Sequence, residues 1–389
     1  MVIVMRGLAA LAWMLNLASL AGYVLLRRRI AAPEATSNHL RFHIIRAYLT
    51  ERDSNSLVVT GSEDDELWLM GRLFAAAQEY GNARVVVVTN NGDPGLAKIR
   101  QLAAPYSDLV QVIEAPLMPP DTASGQMFNH KVAWDALKDE VADEDIIVAS
   151  DCDSDLTTPL LYQVAAAYQD ETVGGVGSFM LYAPGVDWPA RMYTSVVISG
   201  IGLLALDSAL RGPSQMTGNL LSLRASVFRE FGGFASYTRR EQLVDDVATA
   251  QKVLATGKRI AMVGGIRVYN RYSSWRSWWQ RWTRIMLGLK LSQPDKFYLY
   301  AAPTYGAQLV SLGLLGYALR RGRWAYAAPF AANWGINATY CALTGAWLDA
   351  LLSPIGSLPT LAAWAYVLVG RQSTVRWRGL TFEVRDEKD

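Results

Sequence analysis

Apolar residues fall into three regimes along the chain. Gly7 to Leu26 (GLAALAWMLNLASLAGYVLL) is a run of 20 residues without a charge, closed by Arg27, Arg28 and Arg29. At 1.5 Å per residue, such a run crosses about 30 Å of hydrocarbon. A cleaved leader has a shorter apolar region, a small-residue cleavage site and its positive charge ahead of the run, whereas here the charge mainly follows. The pattern therefore predicts a transmembrane anchor over residues 1–29, with the arginine triplet holding the next region in the cytosol.

From about residue 40 to 290 the pattern changes to short β-branched runs alternating with amphipathic segments. Ser56 to Thr60, Arg84 to Thr89, Leu109 to Ile113 and Ile146 to Ser150 read as strands buried on both faces. Helical patterns at Glu66 to Glu79 and Lys131 to Lys138 fall between them. A βαβα order implies a mainly parallel sheet with helices on both sides. In open sheets of that kind ligands bind beyond the carboxyl ends of the strands.

The carboxyl end carries three further apolar stretches: Tyr298 to Leu319, Trp324 to Leu348 and Ala350 to Gly370. Threading all three across a bilayer would put Arg320, Arg321 and Arg323, and then Arg371, Arg376 and Arg378, on the outer side, against the positive-inside rule. The first stretch, broken by Pro303, Gly306, Gly313 and Gly316, is therefore expected to lie at the interface or re-enter. The other two are expected to form a hairpin with Asp349 outside. Asn337-Ala338-Thr339 has the spacing of a glycosylation site, but inside an apolar stretch it reads as chance.

Composition narrows the class. Lys plus Arg is 37 against 35 Asp plus Glu, a net charge of +2, so no global field argues for nucleic acid. Charged residues are 19 % of the chain and AVILMFWYC residues 51 %, with a mean hydropathy of +0.11, lean in charge for a soluble protein. Two cysteines, Cys152 and Cys341, exclude a disulfide scaffold and a zinc finger. His39, His43 and His130 have no serine or cysteine arrangement beside them that suggests a triad.

No G-x-G-x-x-G occurs after the first strand and no P-loop occurs anywhere, so the common dinucleotide and nucleotide signatures are missing. The strands run out instead into acid. Asp93-Pro94 comes shortly after Arg84 to Thr89, and Asp151-Cys-Asp-Ser-Asp155 directly after Ile146 to Ser150. Aspartates at alternating positions repel one another unless a cation joins them, and Mg²⁺ takes one or two carboxylates plus substrate phosphates. The plain alternative is a solvated acidic turn. A second pair, Asp245-Asp246, opens a helical pattern; it reads either as a charge pair favoured by the helix dipole or as a base near the metal. Upstream, Met216-Thr-Gly-Asn219 and Gly232-Gly233-Phe234 supply flexible backbone that could admit an acceptor. Trp275, Trp278, Trp279 and Trp282 share one helical stripe, with Arg276, Arg281 and Arg284 off it. A buried stripe is the usual reading of such spacing. Tryptophan with arginine beside membrane stretches predicts an interfacial helix.

In order, the anchor, D-P, D-C-D, V-D-D and R-W resemble membrane-bound GT-A glycosyltransferases, in particular the ceramide glucosyltransferase family and its bacterial hopanoid-pathway relatives. The resemblance implies an α/β fold: a GT-A, Rossmann-like, mainly parallel cytosolic domain with an N-terminal transmembrane helix and C-terminal membrane helices. The expected segments are an anchor at 1–29, a catalytic domain at 40–270, an interfacial helix region at 271–297, membrane segments at 298–370 and a cytosolic tail at 371–389.

By the same resemblance, Asp93 contacts the nucleotide, Asp151 and Asp153 bind metal and sugar nucleotide, and Lys131, from Asn129-His130-Lys131, lies near the diphosphate. Thr217-Gly218 and Arg224 match a T-G followed by a basic residue, Asp246 takes the base position, and Arg281-Trp282 close the pattern. Departures are Trp278 where the family has Gln or Arg, Gly61 to Asp65 in place of a K-P segment, and Asp155, which leaves the D-x-D register open by two residues.

The implied activity is inverting transfer of a sugar from a nucleotide sugar, a UDP-hexose with Mg²⁺ or Mn²⁺, to a membrane lipid hydroxyl such as that of ceramide. Its partners are then the donor, the lipid acceptor and the bilayer, a bacterial inner membrane, with no nucleic acid and no obligate protein partner. A processive polysaccharide synthase and a non-catalytic nucleotide-binding membrane protein are the alternatives.

Overall fold

A computed structural model describes residues 2–30, 39–48, 63–119, 124–238, 241, 244–269, 274–292, 294, 297–298, 306–370, 374–377 and 380–383. The first expected strand, Ser56 to Thr60, and the start of Gly61 to Asp65 lie outside them. The strand that stands in the sheet instead is β1 (Phe42–Tyr48), which is fully buried. Its sequence, FHIIRAY, hides the strand because His43 and Arg46 interrupt the apolar run. Both find partners only through tertiary structure: His43 Nε2 bonds the Asp145 carboxylate at 2.9 Å, and Arg46 Nη2 donates to Ser150 Oγ at 2.8 Å.

The other expected strands appear within a residue of their predicted limits as β2 (Ala83–Thr89), β3 (Val110–Glu114) and β4 (Ile146–Ser150). With β1 they form the parallel half of an eight-stranded sheet of order β3-β2-β1-β4-β7-β6-β8-β5. The remaining strands are β5 (Ser154–Asp155), β6 (Val173–Tyr182), β7 (Leu221–Arg224) and β8 (Arg259–Val268). β7 runs antiparallel between β4 and β6, β6 and β8 are parallel, and β5 closes the edge antiparallel to β8. Register places Ser150 opposite Arg46 and Tyr48 opposite Thr89, so β1, β2 and β4 end on one edge.

Helices α2 (Glu63–Tyr80), α3 (Leu96–Ala103), α4 (Gly125–Leu137), α5 (Thr158–Ala167), α7 (Ala225–Glu230) and α8 (Asp245–Ala255) join the strands. One core lies on each face of the sheet. Phe74, Tyr80, Val85 and Val87 belong to the first; Val86, Val88, Trp134 and Phe228 to the second.

Helix α1 (Val2–Ile30) covers the expected anchor and has a mean hydropathy of 1.7 over its most apolar part. Its exposed side is apolar (Leu11, Met14, Leu17, Leu20 and Val24), while Ala12, Asn16, Ser19 and Leu26 face inward. That inversion of a soluble helix suits hydrocarbon outside and close packing inside. A second helix of spanning length, α6 (Trp188–Arg211), has a mean hydropathy of 1.5 and was not expected from the sequence. Arg191, Asp207 and Arg211 interrupt it. It touches α1 backbone to backbone: a Cβ on Gly22 would stand 2.1 Å from Gly202 O.

Helix α9 (Trp275–Ser292) holds the tryptophan stripe. Trp278 and Trp282 are buried in the main core, and from Ser277 to Leu291 every residue is buried or half-buried. The tryptophan stripe thus packs inward as an ordinary buried stripe does, and at the start of the helix Trp275 and Arg276 are exposed.

Three further helices follow among the described residues: α10 (Ala307–Arg321), α11 (Ala328–Thr344) and α12 (Trp347–Val369). α10 and α11 have 15 and 17 residues, below and at the lower limit of about 17 for a bilayer crossing, and α12 is bent by 57° between Trp347–Ser353 and Leu358–Val369. The expected hairpin turn exists at Gly345, but Asp349 does not sit outside. Its buried carboxylate accepts from the Gly185 backbone N–H at 2.8 Å, in the loop directly after β6, which puts the turn against the eight-stranded sheet. Asn337 is buried between helices, as expected for a chance sequon. The segment expected as a tail contains a small antiparallel pair, β9 (Thr374–Trp377) and β10 (Leu380–Glu383).

Candidate active site

The site begins where β4 stops. Asp151 follows Ser150, and the turn to β5 presents Asp153 on the same side while Asp155 enters the edge ladder opposite Arg267. Arg72 Nε holds Asp155 at 2.8 Å, so Asp155 is already paired within the fold and the open carboxylates are Asp151 and Asp153. Asn219 Nδ2 reaches Ser154 Oγ at 2.7 Å, Asp153 Oδ1 at 3.2 Å and Asp151 Oδ2 at 3.5 Å. Gln126, in the first turn of α4, donates to the other oxygen of Asp151.

Asp245 and Asp246 arrive from the start of α8. The Asp246 carboxylate accepts from its neighbour Val247 N–H at 2.8 Å and from Gly218 N–H. Thr217 Oγ1 donates to Ser178 O at 2.9 Å. The segment Met216–Asn219 is thus the clamp that joins the two acidic loops, rather than open backbone for an acceptor.

Four carboxylates drawn from two loops raise one another's proton affinity. Burial, then Asp153, pushes Asp151 up to about 7; burial, then Asp246 and Asp151, pushes Asp245 up to about 8. Burial also raises Asp153 and Asp246, against the pull of Arg281 on the first and of the Val247 and Gly218 amides on the second.

Arginines face the cluster from two sides. Arg281 Nη2 of α9 lies 3.9 Å from Asp153 Oδ2, and Arg284, one turn on, acts on Asp245 and Asp246. Below, Arg46 is fully buried; its Nη2 holds both flanks of the D-C-D turn, Ser150 Oγ at 2.8 Å and Ser154 O at 3.0 Å. Its Nε and Nη1 have no hydrogen-bond partner among the described residues. Gly288 lets α9 seat against α8: a Cβ there would stand 2.2 Å from Val244 Cγ1.

Other expected residues sit differently. Asp93 is on the same sheet edge, four residues beyond Thr89, and its carboxylate caps its own turn through Gly95 N–H at 2.8 Å. Lys131 points along the outer face of α4, bonded to Asp135 at 2.6 Å and half exposed. Trp282 is buried and packs its ring 5.2 Å from that of Tyr193 on α6. Arg224 pairs opposite Ile146, at the far end of β4, and bonds Tyr168 O; it has no place in the cluster.

Among the described residues no three His, Cys, Asp or Glu side chains close on a metal by themselves. Two carboxylates with remaining positions left to diphosphate and water match what Mg²⁺ or Mn²⁺ takes in nucleotide sites, and a cation answers the surplus of acid.

The profile of glycosyl transferase family 21 matches residues 75–389. The chain belongs to that family. This family 21 protein is accordingly a nucleotide-sugar-dependent glycosyltransferase of the ceramide glucosyltransferase-like kind. A search of curated proteins returns no match. Among solved structures, the mannosyltransferase PcManGT from Pyrobaculum calidifontis, in complex with GDP-Man and Mn²⁺, superposes with a TM-score of 0.51 at 16 % identity, covering 95 % of this chain and 100 % of that one. The likeness shows that the family 21 enzyme has the GT-A fold. GalNAc-T7 with UDP, GalNAc and Mn²⁺ gives a TM-score of 0.43 at 13 % identity over 67 % of this chain and 50 % of that one.

Sequence reasoning missed Gln126, Asn219 as a bridge, Arg284 and Arg46. Arg284 had a signal, since it lies one helical turn from Arg281. The other three act through contacts 25 to 108 residues away in sequence.

Proposed function

We propose that this enzyme transfers a hexose from a UDP-sugar to the hydroxyl of a membrane lipid, with inversion at the anomeric carbon. The observation that carries the reading is the meeting of Asp151 and Asp153 with Asp246 under Arg281, on a helix packed into the membrane-side bundle. Asp151 and Asp153 would hold Mg²⁺ or Mn²⁺, which when bound offsets charge on the departing diphosphate. Arg281 and Arg284 add fixed positive charge on the same side.

Asp246 would act as the base. As the lipid oxygen bonds to the anomeric carbon and the carbon–phosphate oxygen bond breaks on the opposite face, the hydroxyl proton passes to the Asp246 carboxylate and UDP leaves. The amides of Val247 and Gly218 hold that carboxylate in orientation. Asp93 lies at the same strand edge, where a uracil or ribose group would extend. Lys131 would reach the diphosphate only by exchanging Asp135 for it.

The protein purified in lipid nanodiscs is incubated with labelled UDP-glucose, UDP-galactose or UDP-N-acetylglucosamine, Mn²⁺, and ceramide or diacylglycerol. One labelled glycolipid of inverted configuration is expected, abolished by Asp153→Ala. Turnover indifferent to EDTA would remove the metal from the reading, and a labelled polymer in place of a glycolipid would replace the acceptor.

A further inference from the structure

Length and hydropathy make α6 a second candidate crossing, yet both of its ends are tied to the same domain. Before it, Tyr182 closes β6, and its hydroxyl meets the Tyr193 hydroxyl at 3.2 Å, one and a half turns into α6. The Gly185 amide between them is bonded to Asp349. After it, Thr217 is hydrogen-bonded to Ser178 of that same β6, and Gly218 to Asp246. Six residue steps separate Arg211 from Thr217, and an extended chain covers at most about 22 Å in six steps.

A helix of 24 residues is about 36 Å long. If α6 crossed from the catalytic side, Arg211 would lie beyond about 30 Å of hydrocarbon, and the chain could not return to Thr217. A partial dive is opposed by the charges at its end, where Asp207 pairs with Arg211 and Arg211 is exposed, because ionic groups are costly in hydrocarbon. At its start Val186 and Trp188 are exposed next to Trp347 of α12, which the Gly185–Asp349 bond holds alongside. Tryptophans exposed at two adjoining helix starts suit the headgroup layer.

We propose that α6 lies in the membrane surface on the catalytic domain's side, leaving and rejoining that domain on one face, with the lipid headgroup region as the partner of its Trp188 end. The helix is then a roof rather than a span. It brings Tyr193, whose ring packs on Trp282 beside Arg281, between the lipid layer and the acidic cluster. The inference rests on α1 crossing the bilayer and is independent of donor and acceptor.

Single cysteines at Ile3, Asp139, Leu210 and Arg211 are placed in the full chain carrying Cys152→Ser and Cys341→Ser. Sealed vesicles of both orientations are treated with a membrane-impermeant maleimide. Leu210→Cys, which keeps the Asp207–Arg211 pair, and Arg211→Cys should react together with Asp139→Cys and lose their label wherever Asp139→Cys is protected. Reaction of either with the Ile3→Cys side, or of either from no side, overturns the proposal. So does Ile3→Cys reacting alongside Asp139→Cys, since α1 would then not cross. The readout needs no turnover, so inactivity of the enzyme leaves it standing.

Discussion

Two buried polar clusters in this molecule are built in opposite ways. Between α1 and α11, Asn16 Nδ2 donates to Pro329 O at 2.9 Å, Asn333 to Asn16 at 3.0 Å, Asn337 to Asn333 at 3.4 Å, and the Tyr340 hydroxyl to Ser19 O at 2.8 Å. All these groups are neutral and, apart from the buried Asn337 side-chain oxygen, each has a hydrogen-bond partner within the seam. At the sheet edge, Asp151, Asp153, Asp245 and Asp246 crowd together with more acid than Arg281 and Arg284 offset, and burial raises the proton affinity of each. Polarity that satisfies itself is packing. Polarity left in surplus marks where a ligand of opposite charge belongs.

The sharpest way to break this contrast is Asp246→Asn. Transfer should fall by about 10²–10⁴-fold, the range for loss of a general base, while UDP binding followed by calorimetry persists. Equal loss of both would make Asp246 a structural acid.

The cluster should also make metal-free stability depend on pH in an unusual direction. Asp151 and Asp245 bind protons in the folded chain up to about 7 and about 8, whereas unfolded carboxylates release them near 3.8. Folded-state pKa values are raised, so their contribution is complete at low pH and is lost as pH rises from about 4 to about 8. Melting temperatures in EDTA should therefore fall between about pH 5 and about pH 8.5, and Mn²⁺ with UDP should restore more at the upper end. The asparagine seam predicts no such slope.

Arg46→Met tests the floor of the acidic cluster. Two charge-assisted hydrogen bonds disappear, a loss of about 3 kcal/mol read by denaturant titration, with weaker donor binding as the D-C-D turn loosens. Arg46→Lys keeps the charge without the fork and should recover stability more than binding. The smallest effect is expected at the seam: Asn16→Leu should cost about 0.6 kcal/mol and leave transfer unchanged.

Legibility divided along the same line. β2 and β4 could be read because continuous apolar runs need no knowledge of their neighbours, and Asp151, Asp153 and Asp246 because they stand where such elements stop or start. β1 could not, since His43 and Arg46 look like breaks until Asp145, Ser150 and Ser154 are seen to receive them. α6 escaped because its charged residues imitate a domain helix, and the hairpin turn at Asp349 was misplaced because the Gly185 amide that anchors it is 164 residues away. Charge rules for loops supplied no substitute for that bond.

The contact at Gly288 reaches into heredity. A methyl group there would meet the side chain of Val244, the residue that introduces the paired aspartates, and Val244 would have to turn aside to admit it. Codons for position 288 should accordingly be depleted of alanine, and more strongly of anything larger, in an unbiased library.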